Sequence, residues 1–369
     1  MVVMDTLRPS ALSHELEELI KQLANSPHAD LAARALRQIV QIGADPDRTR
    51  LDWKIINNTL QDMEQGFRIF APYARQRKVA IFGSSRTGPE THTYQQARDF
   101  AACIAARGFM VMTGAGGGIM EAGNAGATAE RSFGLNINLP FEQGANPFIE
   151  GDEKLIDFKY FFTRKLFFVH ESDGFALFPG GLGTQDECCE VLTLLQTGKA
   201  AMMPAVMIDQ PGGDYWRTWD SYLRNQLLGR GLISPADLNL YRITDDITVA
   251  CDHICQFYRV YHSSRYLGSK LVIRLQQPLS DAFVEVLNVQ FHDILTEGQI
   301  LKSPALPREK DDQTAHLPRL VLSFDRTNFG RLRALIDAIN TYEPSEDLRS
   351  TPAVRNGGHA SDPALEAPA

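Results

Sequence analysis

The sequence predicts an α/β fold: a Rossmann-like, doubly wound parallel sheet over residues 78–262, with a helical N-terminal flank at 1–77, a small α+β module at 265–343 and a disordered tail at 344–369. Three observations carry this reading. Short apolar runs alternate with amphipathic helical stretches from Lys78 onward, the pattern of a parallel sheet covered on both faces. Three glycine-rich turns each follow one of those runs directly, as ligand-binding turns do at the carboxyl edge of such a sheet. On either side the alternation stops, giving way to helical spacing before it and to two strand–helix pairs after it.

In the flank, Leu12–Asn25, His28–Ile42 and Leu51–Phe70 repeat apolar residues every three or four positions, and Gly43 and Pro46 end the second stretch. The sheet region opens with the strand Val79–Phe82 and the turn Gly83–Arg86, then a helix from about Tyr94 to Arg107 that stops at Gly108. Phe109–Met112 is the second strand, Gly114–Gly118 its turn, Ile119–Glu130 a helix and Phe133–Leu139 the third strand. After a polar loop come a helix at Thr163–Ser172, the apolar run Phe175–Phe178, and a helix carrying Glu187. The region closes with the strand Ala205–Ile208, a helix from Tyr215 to Leu227, the short strand Tyr241–Ile243 and the helix Asp245–Tyr258. Beyond it, Leu271–Leu275 precedes a helix at Asp281–Leu295, and Leu320–Phe324 precedes one at Phe329–Asn340, joined by the polar stretch Ser303–Pro318. Two strands bury little, so this module is expected to pair with a second copy or dock on the main domain.

At 44% hydrophobic and 22% charged residues, the composition is that of an ordinary globular protein. A net charge of −8 argues against non-specific nucleic-acid binding and against docking on anionic lipid. The opening residues lack the layout of a signal peptide and no apolar run approaches a bilayer's thickness, so the expectation is a cytoplasmic protein acting on a small molecule. Five cysteines, with no C-x-x-C pair, indicate neither a disulfide frame nor a structural metal.

The chemistry concentrates between Phe175 and Glu190. A strand that turns on Pro179, Gly180 and Gly181 into a helix opened by Gly183 and Thr184 leaves unpaired N–H groups and the positive end of a helix dipole facing one way. That is a site for an anion, and Glu187 and Glu190 in the first turns of the helix would stand beside it. Thr184 and Glu187 also fit a capping box, in which both side chains would only satisfy the helix end. Gly83, Ser84 and Ser85 form a second turn and Gly116, Gly117 and Gly118 open a further helix, with Glu121 in its first turn as a third acid, placed for a ribose or simply for the helix dipole. No G-x-x-x-x-G-K-[ST] occurs, and the turn GAGGGI lacks the last glycine of the dinucleotide fingerprint. A P-loop ATPase and a hydride-transfer enzyme are both disfavoured.

The string from Pro179 to Glu187, PGGLGTQDE, resembles the PGGxGTxxE signature of the Lonely Guy (LOG) family, formerly labelled lysine decarboxylases. Phe82–Arg86 is similar to that family's first nucleotide-binding turn, Thr113–Ala122 to its GGGxxGIMEA region with Ala115 where a third glycine often stands, and Phe162–Lys165 to its R-K pair. The resemblance implies hydrolysis of nucleoside 5′-monophosphates such as AMP or cytokinin riboside monophosphates to a free base and ribose 5-phosphate, in a homodimer. It makes Glu187 and Arg164 catalytic and places Lys165 and the three glycine turns on the substrate. Such a reaction needs no metal or redox cofactor. On the helix after the polar loop, Phe162, Leu166 and Val169 form the expected buried stripe, which turns Arg164 to another face. The competing reading is a nucleotide-binding regulator with little turnover; a pyridoxal-dependent decarboxylase lacks a recognisable lysine site.

Overall fold

In the computed structural model, residues 18, 21–22, 28–137, 144–309 and 313–344 are described. The helix expected over Leu12–Asn25, apart from three helical residues, and the tail expected beyond Pro344 lie outside them. The chain divides into two compact units between Glu64 and Gln65. The first contains helix α1 (Ala29–Gly43) and most of α2 (Arg50–Phe70). A reciprocal cap starts α2: Thr49 N–H donates to the Asp52 carboxylate at 2.9 Å and Asp52 N–H donates to Thr49 Oγ1 at 3.2 Å.

The second unit holds a seven-stranded, wholly parallel sheet in the order β4-β3-β2-β1-β5-β6-β7. Its strands are β1 (Lys78–Phe82), β2 (Met110–Thr113), β3 (Ser132–Ile137), β4 (Leu155–Phe158), β5 (Gly174–Leu177), β6 (Ala205–Ile208) and β7 (Arg242–Thr244). Every residue of β1, β2, β5 and β6 is buried, which is why, apart from Lys78 at the start of β1 and Thr113 at the end of β2, each reads as an apolar run rather than an alternating one. On one face Val79, Ile81, Val206 and Ile208 pack with Phe100 and Ile104 of α3 (His92–Ala106), Ile119 and Ala122 of α4 (Ile119–Ala127) and Ile254 of a later helix. On the other, Phe82 meets Phe168 of α5 (Phe161–Glu171) with ring centroids 4.7 Å apart. Helices α6 (Leu182–Gln196), α7 (Tyr215–Tyr222) and α8 (Ile247–Phe257) complete the cover. The fold is the expected doubly wound α/β class.

Two sequence expectations change here. The stretch read as a polar loop before α5 contains β4, an edge strand whose Asp157 accepts a 2.8 Å hydrogen bond from Asn136 Nδ2. The stripe expected on α5 is displaced: Phe162 and Leu166 are 54% and 47% exposed, and Thr163, Phe167 and Phe168 are buried instead. Phe167 stacks on Phe70 and meets Phe158, so the aromatic contacts set the rotation of the helix.

After α8 the chain builds a four-stranded antiparallel sheet, β10-β11-β9-β8, from β8 (Tyr261–Leu267), β9 (Lys270–Leu275), β10 (Leu295–Ser303) and β11 (Arg319–Phe324), with helices α9 (Asp281–Gln290) and α10 (Phe329–Ile339). Only β9 and β11 are read from the sequence. This sheet is tied to the parallel one: Arg333, 1% exposed, donates to Met203 O at 3.2 Å, and Asn340 donates to Phe257 O at 2.6 Å while accepting from Val260 and Tyr261 N–H. Docking on the main domain is thus what the structure contains. Among the described residues no helix is long and apolar enough to cross a membrane.

Candidate active site

The strand order reverses at β1: β2, β3 and β4 extend to one side and β5, β6 and β7 to the other. Ligands bind outside the carboxyl ends of strands at such a reversal. A cavity of about 640 Å³ lies there, between the turn after β1 and the turn after β5, with Gly114, Gly116 and Met120 on the β2 side. The three turns are strapped together through Ser84, whose N–H donates to Pro179 O at 3.1 Å and whose carbonyl accepts from Ile119 N–H at 3.0 Å.

This strapping divides the glycines by task. A Cβ on Gly118, at φ +66°, would lie 2.3 Å from Ser84 O, and one on Gly180 would lie 2.9 Å from Ser84 N as well as 2.1 Å from Thr184 Oγ1. These two allow the turns to approach each other. Gly181 and Gly183 line the cavity and would meet nothing within 4 Å, so their backbone lies open to a ligand. Ala115 takes φ +63° in the position where glycine is the easier residue; its N–H donates to Thr113 Oγ1 at 3.0 Å and its carbonyl accepts from Asn146 N–H and Nδ2 at 2.7 and 3.0 Å.

Helix α6 begins at Leu182, with Gly181 as its N-cap and no capping side chain. Thr184 therefore lies inside the first turn, and the capping-box alternative does not hold. Glu187 is buried at 4% exposure. One carboxylate oxygen lies 3.4 Å from Lys165 Nζ, and Oε2 is buried with no hydrogen-bond partner. Burial pushes the Glu187 pKa up; Lys165 and, less strongly, Arg164 oppose this, and Glu190 adds to it. Lys165 also bridges Glu190 at 2.6 Å and Asp186 at 2.9 Å. Burial alone would pull its ammonium down, but the Glu190 and Asp186 carboxylates hold it above its ordinary range.

Arg164 turns into the cavity. Its guanidinium lies over the Phe161 ring at 5.1 Å and near the Phe168 ring at 5.8 Å, with Nη1 3.5 Å from Leu135 O. A fixed cation and a buried carboxylate thus face one space beside an open helix N-terminus. Among the described residues no group of three or more His, Cys, Asp or Glu is placed to hold a metal ion; the three α6 carboxylates close on Lys165 instead.

Residues 106–254 match the family described as "Possible lysine decarboxylase". Over 158 residues the chain is 32% identical to the cytokinin riboside 5′-monophosphate phosphoribohydrolase of Mycobacterium tuberculosis, a stretch that covers 41% of this chain and 79% of that relative. The chain belongs to the LOG family. Two solved structures overlap it more loosely. The molybdenum cofactor carrier protein of Chlamydomonas reinhardtii is 16% identical with a TM-score of 0.35, covering 49% of this chain and 97% of its own. The molybdenum cofactor binding protein of Rippkaea orientalis is 18% identical with a TM-score of 0.33, covering 48% and 94%.

Of the residues that the LOG resemblance singles out, the cavity brings together Gly83, Ser84, Ser85, Gly116, Arg164, Gly181, Gly183, Thr184 and Glu187. Gly118, Pro179 and Gly180 serve the strapping beneath it, and Gly117 is also outside the lining. Lys165 and Glu190 are paired with each other behind Glu187. Glu121 accepts a 2.9 Å hydrogen bond from Tyr94 and does not line the cavity. Reasoning from sequence misses Asn136, Ile137, Phe161 and Phe168, which do line it. Phe161 sits beside the R-K pair and was within reach of that motif; Asn136 and Ile137 end a central strand and carry no signal of their own.

Proposed function

We propose that this protein hydrolyses the N-glycosidic bond of nucleoside 5′-monophosphates, of the AMP or cytokinin riboside monophosphate type, to a free base and ribose 5-phosphate. The observation that carries the reading is Glu187: a buried carboxylate with an unpartnered oxygen, at the wall of a cavity that also presents Arg164 and the open N-terminus of α6. Buried groups left unsatisfied at such a place are candidates for function rather than for stability.

The 5′-phosphate is assigned to the Gly181–Thr184 backbone, where N–H groups and the helix dipole favour an anion. As the bond between the base nitrogen and C1′ breaks, the ribose ring gains positive charge, and the Glu187 carboxylate stabilises that charge. A water oxygen then bonds to C1′ while Glu187 orients it and takes its proton; the base leaves with the electron pair of the broken bond, and that proton passes through solvent to the base nitrogen, which returns Glu187 to its ionised form. Arg164, which is charged throughout, holds the ribose hydroxyls or the phosphate. The raised pKa fits a group that must be ionised to act yet accept a proton during turnover.

A homodimer accompanies this proposal, with exposed Phe162 and Leu166 on α5 as apolar surface for a second copy; the molecular mass in solution checks it. The activity is tested with a panel of purine and pyrimidine monophosphates and their matched nucleosides, assayed for free base. Release from monophosphates well above that from nucleosides supports the proposal. Nucleotide binding without release overturns it in favour of a regulator.

A further inference from the structure

The structure points to a residue outside every motif above. Tyr215, the first residue of α7, donates its hydroxyl proton to Gly180 O at 2.5 Å and accepts from Gln185 Nε2 at 2.6 Å. Its backbone is anchored next door: Trp216 is fully buried, and its N–H donates to Asp209 Oδ2 at 3.1 Å. The Tyr215 ring packs edge-on against Trp216 with centroids 4.9 Å apart. Tyr215 is not among the residues lining the cavity, whereas Gly181 is.

A trans peptide is planar, so its carbonyl and its N–H point in opposite directions. Holding Gly180 O against Tyr215 therefore fixes the Gly181 N–H on the side away from that hydroxyl. The peptide between two glycines is the one in this turn with the least steric resistance to rotation. If it turned over, a carbonyl oxygen would replace an N–H at the N-terminus of α6, and a partial negative charge would meet the anion.

We propose that Tyr215 is a positioning residue that locks the Gly180–Gly181 peptide with its N–H toward the substrate phosphate. This rests on the phosphate assignment of the proposed function. Gln185 supports the lock by donating to the tyrosine hydroxyl and so orienting its proton toward Gly180. The role separates phosphate-bearing ligands from phosphate-free ones, which a merely structural tyrosine would not do.

The test compares wild-type protein with Tyr215→Phe, and with Gln185→Leu as a second variant, in the binding of ribose 5-phosphate and in the turnover of AMP and adenosine. Tyr215→Phe is expected to weaken ribose 5-phosphate binding and kcat/KM for AMP about tenfold, the scale of one hydrogen bond to a charged group, with turnover of adenosine unchanged. Gln185→Leu is expected to move the same quantities in the same direction by less. Unchanged ribose 5-phosphate binding in Tyr215→Phe, or an equal loss for AMP and adenosine, overturns the positioning role alone. Wild-type protein that treats AMP and adenosine alike overturns the phosphate assignment and this role with it.

Discussion

Two glutamates, one beside each sheet, are withdrawn from water and treated in opposite ways. Glu309, whose side chain is 1% exposed, takes Arg319 Nε at 2.6 Å, Arg274 Nη2 at 2.9 Å and the N–H of Leu306 at 3.0 Å. Burial alone would raise its pKa, but that backbone donor and the two guanidinium groups hold it below the usual carboxylate range. Glu187 shares one ammonium with two other carboxylates, keeps an oxygen with no partner and has its pKa raised. The first arrangement closes the Ser303–Pro318 connection onto β9 and β11; the second leaves an unfavourable charge beside a cavity. A buried charge that is fully paired stays ionised and is costly to unpair, and one that is left short of partners is available for chemistry.

The largest effect falls on turnover: Glu187→Gln should lower kcat by about two to four orders of magnitude while nucleotide binding persists, because the lost charge matters mainly in the transition state. Steady-state kinetics of Glu309→Gln beside it should stay within about threefold of wild type. Next is stability. Glu309→Ala leaves two buried guanidinium groups short of their counter-charge and should cost about 3–5 kcal/mol in denaturant unfolding.

A smaller contrast lies within the glycine turns. Gly118→Ala puts a Cβ into Ser84 O at a left-handed φ and should cost about 1–3 kcal/mol in the same unfolding measurement. Gly183→Ala meets no atom within 4 Å, so it should leave stability near wild type and instead weaken ribose 5-phosphate binding in a titration.

The smallest effect is the pH dependence of stability, which should have opposite sign at the two glutamates. The unfolded-state reference for either is about 4.3. Glu187 has a raised folded pKa, so its contribution is fully present below about pH 4.3 and is lost as pH rises through that raised value. Glu187→Gln should therefore melt above wild type at neutral pH, and the gap should close toward pH 4. Glu309, with a lowered folded pKa, contributes above about pH 4.3 and loses that contribution as pH falls through the folded value. The Glu309→Ala penalty should shrink in acid. Melting curves recorded across this range check both, and gaps of the same sign would break the contrast.

The central strands are legible in the sequence because burial on both faces writes them as apolar runs, and Ala205–Ile208 is read to the residue. The strands that escape notice, β4, β8 and β10, are edge strands of their sheets. An edge strand is partly wetted and tolerates charge and glycine, as with Asp157 in β4 and with Glu297 and Gly298 in β10. At the site, the resemblance to the LOG motifs singles out Glu187, Arg164 and the glycine turns, and most of these line one cavity. It does not distinguish the glycines that face the cavity from those that pack turn on turn, because that depends on Ser84 bridging Pro179 and Ile119. Lys165 closing on three carboxylates depends in the same way on how α5 lies against α6, and Tyr215 acts on a carbonyl 35 positions away.

The most direct test of the account is product analysis with the wild-type protein. AMP and adenosine are incubated separately, and free adenine and ribose 5-phosphate are quantified over time. The account predicts adenine and ribose 5-phosphate from AMP in equal amounts, with adenosine cleaved far more slowly. AMP that binds yet yields no adenine, or adenosine cleaved as fast as AMP, would contradict it.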